Sequence, residues 1–171
     1  NGKGGFTPLT EAPVNRVVGR DQTTVLGVGT TLFIGVSNYE DGTTNGGWVG
    51  IYDLARKASG ESIRGPTSCT GPLAMADIDG DGDLDLFVGG RAVAGSYAEP
   101  ATSLLVRDEG GRFAIAQRWE KFGLVSGAVF SDLNGDGQAD LALACDWGPL
   151  RLFLNQSGTL QPWDAPVTWL A

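Results

Sequence analysis

The chain has 171 residues, a length typical of one domain, and 42% of them are hydrophobic, enough for a packed core. Its 20 acidic residues outnumber the 12 basic residues and give a formal net charge of −8. This balance excludes the basic surface that nucleic-acid binding requires and disfavours an anionic membrane surface. No apolar run reaches the roughly 18 to 20 residues of a membrane span, so we expect no membrane insertion.

The absence of histidine excludes several kinds of catalytic and metal site. Without histidine the chain cannot form a Ser-His or Cys-His nucleophile or a His-ligated zinc site, and two cysteines are too few for a cysteine-only zinc site. The 27 glycines show no collagen-like period and therefore indicate tight turns between many short strands. We expect an all-β protein that is not an enzyme.

The first part of the chain predicts an isolated strand followed by an antiparallel sheet. Residues 1–13 are predicted as an outer strand that belongs to a preceding unit. The next two strands form a hairpin, joined by the two-residue turn Gly29-Thr30. The strands of this sheet are predicted at 24–28, 31–36 and 48–52, with a poorly defined outer strand near 56–64.

The rest of the chain predicts two groups of four short strands, each with an acidic loop between its first two strands. The two loops contain eight acidic residues and no basic residue, whereas the remainder of the chain has 12 of each. The whole net charge therefore lies in the two loops. The strands are predicted at about 72–78, 84–89, 102–107 and 112–117, and then at about 125–132, 139–145, 150–154 and 159–163.

The spacing of oxygen-bearing side chains predicts a metal site in each acidic loop. Both loops have such side chains at positions 1, 3, 5 and 9, glycine at position 6, and a position 7 that can ligate through its backbone carbonyl. Hard oxygen ligands in a flexible loop favour Ca²⁺ over Mg²⁺, which demands a more rigid octahedral geometry. The predicted ligands are Asp77, Asp79, Asp81, Asp83 and Asp85 in the first loop and Asp132, Asn134, Asp136, Gln138 and Asp140 in the second.

An acidic loop of this kind has two alternatives to a nine-position calcium loop. An EF-hand requires glutamate at position 12 and flanking helices, but position 12 is Val88 in the first loop and Leu143 in the second, both in predicted strands. A solvated acidic turn that binds no metal is the other alternative. The recurrence of one spacing in one context argues against it, because the crowded acids repel each other unless a cation is present.

The two loops are part of a longer repeat. Asp77 and Asp132 lie 55 positions apart, and the segment Asn1–Pro8 recurs as Asn155–Pro162, with Asp108–Phe113 as a third copy. Four-stranded repeats of this length are typical of propeller blades. We therefore predict about three blades, of which the first lacks a calcium loop. The predicted boundaries are 1–13 for the strand of a preceding blade, 14–66, 67–119 and 120–164 for the three blades, and 165–171 for the lead into a following blade.

Three blades do not close a ring, because propellers have about four to eight. An open array would leave apolar faces and strand edges exposed. We expect the chain to be a segment of a longer propeller, with association of two copies into a six-bladed ring as the alternative.

The segment Gly71–Leu86 resembles the inner hairpin of the FG-GAP (VCBS-type) repeats in integrin-α-like β-propellers. Phe122-Gly123, Gly127-Ala128 and the segment Asp132–Leu141 are similar to the same family. The resemblance covers nearly the whole chain, although the first unit lacks the metal motif. It implies a propeller with Ca²⁺ on one face and ligand contacts on the other, in adhesion proteins, lectins and non-catalytic parts of larger secreted proteins.

The predicted strand order places the loops between second and third strands on the face opposite the calcium loops. These loops contain one aromatic residue each, namely Tyr39, Tyr97 and Trp147. Exposed aromatic rings beside polar groups suit contacts with carbohydrate or protein, and packing between blades is the alternative. Cys69 and Cys145 are predicted on this same face, where a disulfide and two free thiols are both compatible with the sequence.

These features together predict a non-catalytic calcium-binding module for recognition of a protein or glycan, with Ca²⁺ in a structural role. We expect it outside the cell, at the cell surface or in the periplasm. Its expected partners are that ligand and the rest of a parent propeller or another copy of the chain. An architectural segment of a larger secreted enzyme and a lectin are the alternatives.

Overall fold

The computed structural model describes residues 4–41, 45–60 and 62–165. Within these ranges the chain forms β-strands and turns and no helix, so no helix has the length and hydropathy needed to cross a membrane. The strands are arranged in antiparallel sheets, which confirms the predicted all-β class.

The strands of the described residues form two sheets. The first sheet contains β1 (Gln22–Val28), β2 (Thr31–Val36), β3 (Trp48–Asp53), β4 (Ala58–Ser59) and β5 (Ile63–Arg64). The second sheet contains β6 (Cys69–Ala76), β7 (Asp85–Ala92), β8 (Ala101–Asp108), β9 (Phe113–Ser131), β10 (Asp140–Asp146), β11 (Arg151–Gln156) and β12 (Thr159–Pro162).

The first sheet follows the predicted hairpin closely. Val28 pairs with Thr31 across the tight β1–β2 turn, where Gly29 has a φ of 56°. A positive φ is the conformation that such two-residue turns require and glycine readily adopts. The poorly defined fourth strand is divided into β4 and β5, which both pair with β3.

The second sheet differs from the prediction at β9. Residues 112–117 and 125–132 are predicted as separate strands, but all of them except Arg112 and Asp132 lie within one strand, β9. Its first part, to Gly123, pairs with β8, and its second part, from Leu124, pairs with β10. Lys121 has a φ of 48° and Gly123 a φ of 148°, so the backbone bends where its pairing partner changes.

The strand β9 therefore belongs to two antiparallel groups. We call β6, β7, β8 and the first part of β9 the middle meander, and the second part of β9 with β10, β11 and β12 the last meander.

The middle meander is buried on both faces. Leu86 and Val88 pack against the first sheet in one apolar cluster, while Phe87 between them packs against the last meander in another. On β8, Leu104 and Leu105 divide in the same way. Successive side chains of a strand point to opposite faces, so continuous apolar runs on β7 and β8 let the middle meander form the central layer of three.

The N-terminal segment also differs from the prediction. Residues 4–13, expected as an outer strand, form no strand. A strand needs a neighbouring strand to satisfy its backbone N–H and C=O groups, and none pairs with this segment among the described residues. Residues 1–3 and 166–171, which belong to the two predicted terminal segments, lie outside the described ranges.

The layered core predicts that Leu104→Ala and Leu105→Ala destabilise the protein to a similar extent, although their side chains enter different clusters. Both side chains are fully buried, and each truncation should lower the free energy of unfolding by about 2–5 kcal/mol in urea titrations. Val129→Ala is the control, because Val129 is 56% exposed and should change stability by about 0.5 kcal/mol or less. Equal effects of all three substitutions would contradict the layered arrangement.

Candidate functional site

The first acidic loop joins β6 to β7 and curls around the carboxylate of Asp77. Asp77 Oδ1 accepts a hydrogen bond from Gly80 N at 2.7 Å, and its Oδ2 accepts one from Gly82 N at 3.0 Å. Gly80 and Gly82 have φ values of 81° and 95°, which a residue with a side chain rarely adopts. The glycines and the first aspartate of the motif therefore fix the turn together.

The second acidic loop joins the last part of β9 to β10 and repeats this geometry. Asp132 Oδ1 accepts from Gly135 N at 2.7 Å, and its Oδ2 accepts from Gly137 N at 2.9 Å. Gly135 and Gly137 have φ values of 82° and 86°. Two segments 55 positions apart thus form the same hydrogen-bonded turn.

The side chains at positions 1, 3 and 5 of the first loop form a group that fits a cation. Carboxylate oxygens of Asp77, Asp79 and Asp81 lie within 4.8 Å of one another. Asp79 and Asp81 are exposed and Asp77 is half-buried, so the group is open to solvent. Several hard oxygen ligands that converge on one point can hold a divalent cation such as Ca²⁺.

The second loop carries a weaker charge at the corresponding positions. Asn134 replaces the aspartate at position 3, and its Nδ2 donates to Asp136 Oδ2 at 2.9 Å. This bond, with one from the backbone N–H of Gln138, lowers the pKa of Asp136 below its ordinary value. Asp132, Asn134 and Asp136 still offer side-chain oxygens as metal ligands, which a hard cation prefers.

The carboxylates at position 9 have a different environment, because both are buried. Asp85 accepts from Ile78 N at 3.2 Å and from Asp108 N at 3.0 Å. Asp140 accepts from Leu133 N at 2.9 Å and from Asn155 N at 2.8 Å. Each one ties the start of its loop to the end of the third strand of its meander, an anchoring role that the sequence did not indicate.

Burial sets the protonation behaviour of one of these anchors. Loss of solvation raises the pKa of Asp85, while the N–H bonds from Asp108 and Ile78 act in the opposite direction. The net result is a pKa above the ordinary value of this carboxyl group, and the two backbone N–H groups limit the rise.

Position 7 is also bound to the turn after the third strand. Asp83 Oδ2 accepts from Gly110 N at 3.0 Å, and Gln138 Oε1 accepts from Ser157 N at 3.2 Å. In the sequence these turns are visible only as copies of a repeated motif. One copy of the motif follows each acidic loop, and this order was the available signal that motif and loop are partners.

Two contacts link the first loop to the last meander. The Nε of Arg107 lies 3.0 Å from Asp79 Oδ2, and its Nη2 donates to the carbonyl of Gly158 at 2.7 Å. Asn155 is buried, and its Nδ2 donates to the carbonyl of Ile78 at 2.7 Å. The two acidic loops are therefore joined by a polar network that the sequence did not reveal.

A second cluster lies at the other end of the strands, in the loops that follow β7 and β10. The rings of Tyr97 and Trp147 meet edge to face, with centroids 5.6 Å apart. Beside them Arg91 forms an ion pair with Asp146, and the Tyr97 hydroxyl lies 3.5 Å from Asp146 Oδ2. Arg91 thereby holds the pKa of Asp146 below its ordinary value.

Trp147 is the most unusual residue of this cluster. Its side chain is 79% exposed, and its backbone has a φ of 52°, in the left-handed region that bulky residues rarely occupy. The protein therefore holds a large apolar ring in solvent on a strained turn. The contact with Tyr97 also joins the loops of neighbouring meanders, so Trp147 combines exposure to solvent with packing between layers, the alternative for these rings.

The other residues predicted on this face have separate positions. Tyr39 is 44% exposed in the β2–β3 connection and forms no ring pair within the described part of the chain. Cys69 and Cys145 are free thiols, so the disulfide alternative is not realised in this structure. Burial raises the pKa of the Cys145 thiol.

Comparison with known proteins adds no relative to these observations. No protein-family model matches the chain, and no curated protein matches it significantly.

The anchoring geometry predicts different roles for two aspartates of the second loop. Asp140→Ala leaves two backbone N–H groups without an acceptor and should lower the free energy of unfolding by about 2–4 kcal/mol even in EDTA. Asp136→Ala, at an exposed position, should change it by about 0.5 kcal/mol or less in EDTA. Chemical denaturation of both variants in EDTA is the measurement, and equal stabilities would contradict the anchoring role.

Proposed function

We propose that this chain is a non-catalytic β-propeller segment in which two Ca²⁺ ions support a module for extracellular recognition. The observation that carries the proposal is the recurrence of one loop geometry. Asp77 and Asp132 each accept hydrogen bonds from two glycines of their own loop, and the two turns have the same form. The buried Asp85 and Asp140 each anchor their own loop in the same way.

Calcium would be held by oxygens at five loop positions, and it would supply the positive charge that the crowded acids lack. In the first loop these positions are Asp77, Asp79, Asp81, the backbone carbonyl of Asp83, and Asp85. Loop and metal together would fix the first hairpin of each meander. The role is therefore structural.

The layering of the sheets supports the propeller assignment. Each of the two meanders repeats the order of strand, acidic loop, strand, aromatic loop, strand, turn and strand. The first strand of every layer also reaches one open trough of about 320 Å³, lined by Thr23, Thr24, Gly71, Pro72, Arg91 and Ser126. Inner strands around the axis of a propeller have this relation. A parent propeller or a second copy of the chain would complete the ring.

Calcium titration tests the metal assignment. We expect isothermal calorimetry to give two Ca²⁺ ions per chain, one after Asp77→Ala or Asp132→Ala, and none after both substitutions. EDTA should lower the melting temperature, because calcium binds the folded chain in preference to the unfolded chain.

Two controls sharpen the titration. Asp53→Ala removes an acid outside the loops and should leave the stoichiometry at two. Mg²⁺ in place of Ca²⁺ should bind more weakly, because these loops do not impose octahedral geometry. A stoichiometry of zero, or binding that survives the double substitution, would overturn the calcium proposal.

Recognition is assigned to the face that carries Tyr97 and Trp147, because their rings and the Arg91–Asp146 pair form one exposed amphipathic patch. Aromatic faces beside polar groups contact both glycans and proteins. The glycan alternative is favoured by the exposed Trp147 ring, which offers a flat apolar surface for stacking. An extracellular or periplasmic location accords with loops tuned to abundant Ca²⁺.

A glycan array tests the lectin alternative. If glycans are the ligands, Trp147→Ala should reduce binding by at least about tenfold, which corresponds to about 1.4 kcal/mol, and Tyr97→Ala should reduce it less. Val25→Ala is the matched control, because Val25 is an exposed apolar residue outside the patch. An array that shows no binding with or without EDTA would exclude the lectin alternative and leave protein recognition or an architectural role.

A further inference from the structure

A separate groove of about 800 Å³ lies between the first sheet and the middle meander. It is larger than the trough described above and belongs neither to the acidic loops nor to the aromatic patch. Its volume falls within the range of about 300–1,000 Å³ typical of small-molecule sites. The apolar part of its lining consists of Phe33, Ile51, Ile63, Val106, Phe113 and Ile115.

The groove exists because the outer edge of the first sheet is interrupted. The fourth strand is divided into β4 and β5, which pair with opposite ends of β3. Next to β4, Gly60 N donates to the carbonyl of Ile51 at 2.8 Å, so Gly60 is still bound to β3. The rings of Phe33 and Phe113 meet edge to face across the two layers, with centroids 6.0 Å apart.

The charge of the groove is opposite to that of the chain. Three arginines line it, namely Arg56, Arg64 and Arg112, beside the acids Asp53 and Asp108. Both acids have partners, because Asp53 lies 3.6 Å from the Arg56 guanidinium and Asp108 accepts from Gly111 N at 2.5 Å.

The other two arginines lack such partners. Across the described ranges, neither Arg64 nor Arg112 forms an ion pair. The groove therefore places two unpaired guanidinium groups beside an apolar wall in a protein whose net charge is −8.

We propose that this groove binds a small anionic amphiphile with an apolar body and one carboxylate head group. Apolar surface contributes to binding when it leaves water, and Ile51, Phe113 and Ile115, the wall residues that are not buried, offer that contact. A guanidinium presents a planar set of donors that matches a carboxylate, so Arg64 or Arg112 would hold the head group.

The test uses the fluorescent probe 8-anilinonaphthalene-1-sulfonate, whose sulfonate stands in for the carboxylate. Its uncharged analogue N-phenyl-1-naphthylamine has the same aromatic body and no anionic group. We expect the charged probe to bind at least tenfold more tightly than the analogue, and we expect decanoate to displace it.

Three variants locate the binding. Arg64→Gln/Arg112→Gln should weaken the charged probe at least tenfold and leave the analogue unchanged, whereas Ile115→Asp should weaken both. The control Arg16→Gln/Arg118→Gln changes the net charge equally at exposed positions outside the groove. All of the substituted residues are exposed, so we expect the variants to fold. Circular dichroism of each variant distinguishes a loss of binding from a loss of folding.

Several results would overturn the proposal. These are equal affinities for the charged probe and its analogue, equal effects of the two arginine pairs, or no binding by the folded protein. Light scattering can give a further contradicting result, namely that two chains associate. If this association requires Arg64 and Arg112 and persists in decanoate, the groove binds a second copy of the chain. The titrations are run with and without Ca²⁺, so failure of the groove and failure of the calcium sites are distinguishable.

Discussion

Two buried carboxylates, Asp85 and Asp140, connect the acidic loops to the rest of the structure. A carboxylate that leaves water must have its charge compensated, and here two backbone N–H groups compensate each one. One donor comes from the start of the loop and the other from the end of the third strand. The hairpin and the neighbouring strand therefore keep a fixed relation, which places the remaining loop acids at the surface.

This constraint explains why the acids divide into two classes. The carboxylates at positions 1, 3 and 5 of the first loop are grouped within 4.8 Å of one another, while the carboxylate at position 9 is buried and bonded to the backbone. Arg107 and Asn155 then connect the first loop to the adjacent last meander through polar contacts. The polar contacts thus follow the same layered plan as the apolar core, in which Phe87 and Leu105 pack on the last meander.

The sequence was sufficient to predict the features that depend on residues close together in the chain. Glycine turns, alternating strands and the hairpin around Gly29 were predictable because local conformation decides them. The continuity of β9 was not, because it depends on which strands pair on each side of Gly123. The Tyr97–Trp147 contact and the Arg91–Asp146 pair likewise join residues about 50 positions apart, so they required the tertiary structure.

The geometry of the acidic loops bears on how a metal would stabilise the protein. Backbone N–H groups of Gly80 and Gly82 already hold the Asp77 carboxylate, and glycines with positive φ already shape the turn. A loop ordered in this way loses little further conformational entropy when a cation arrives. Binding would therefore relieve the repulsion between acids without having to build the turn, and its free energy would add to the stability of a fold that Asp85 and Asp140 already hold in register.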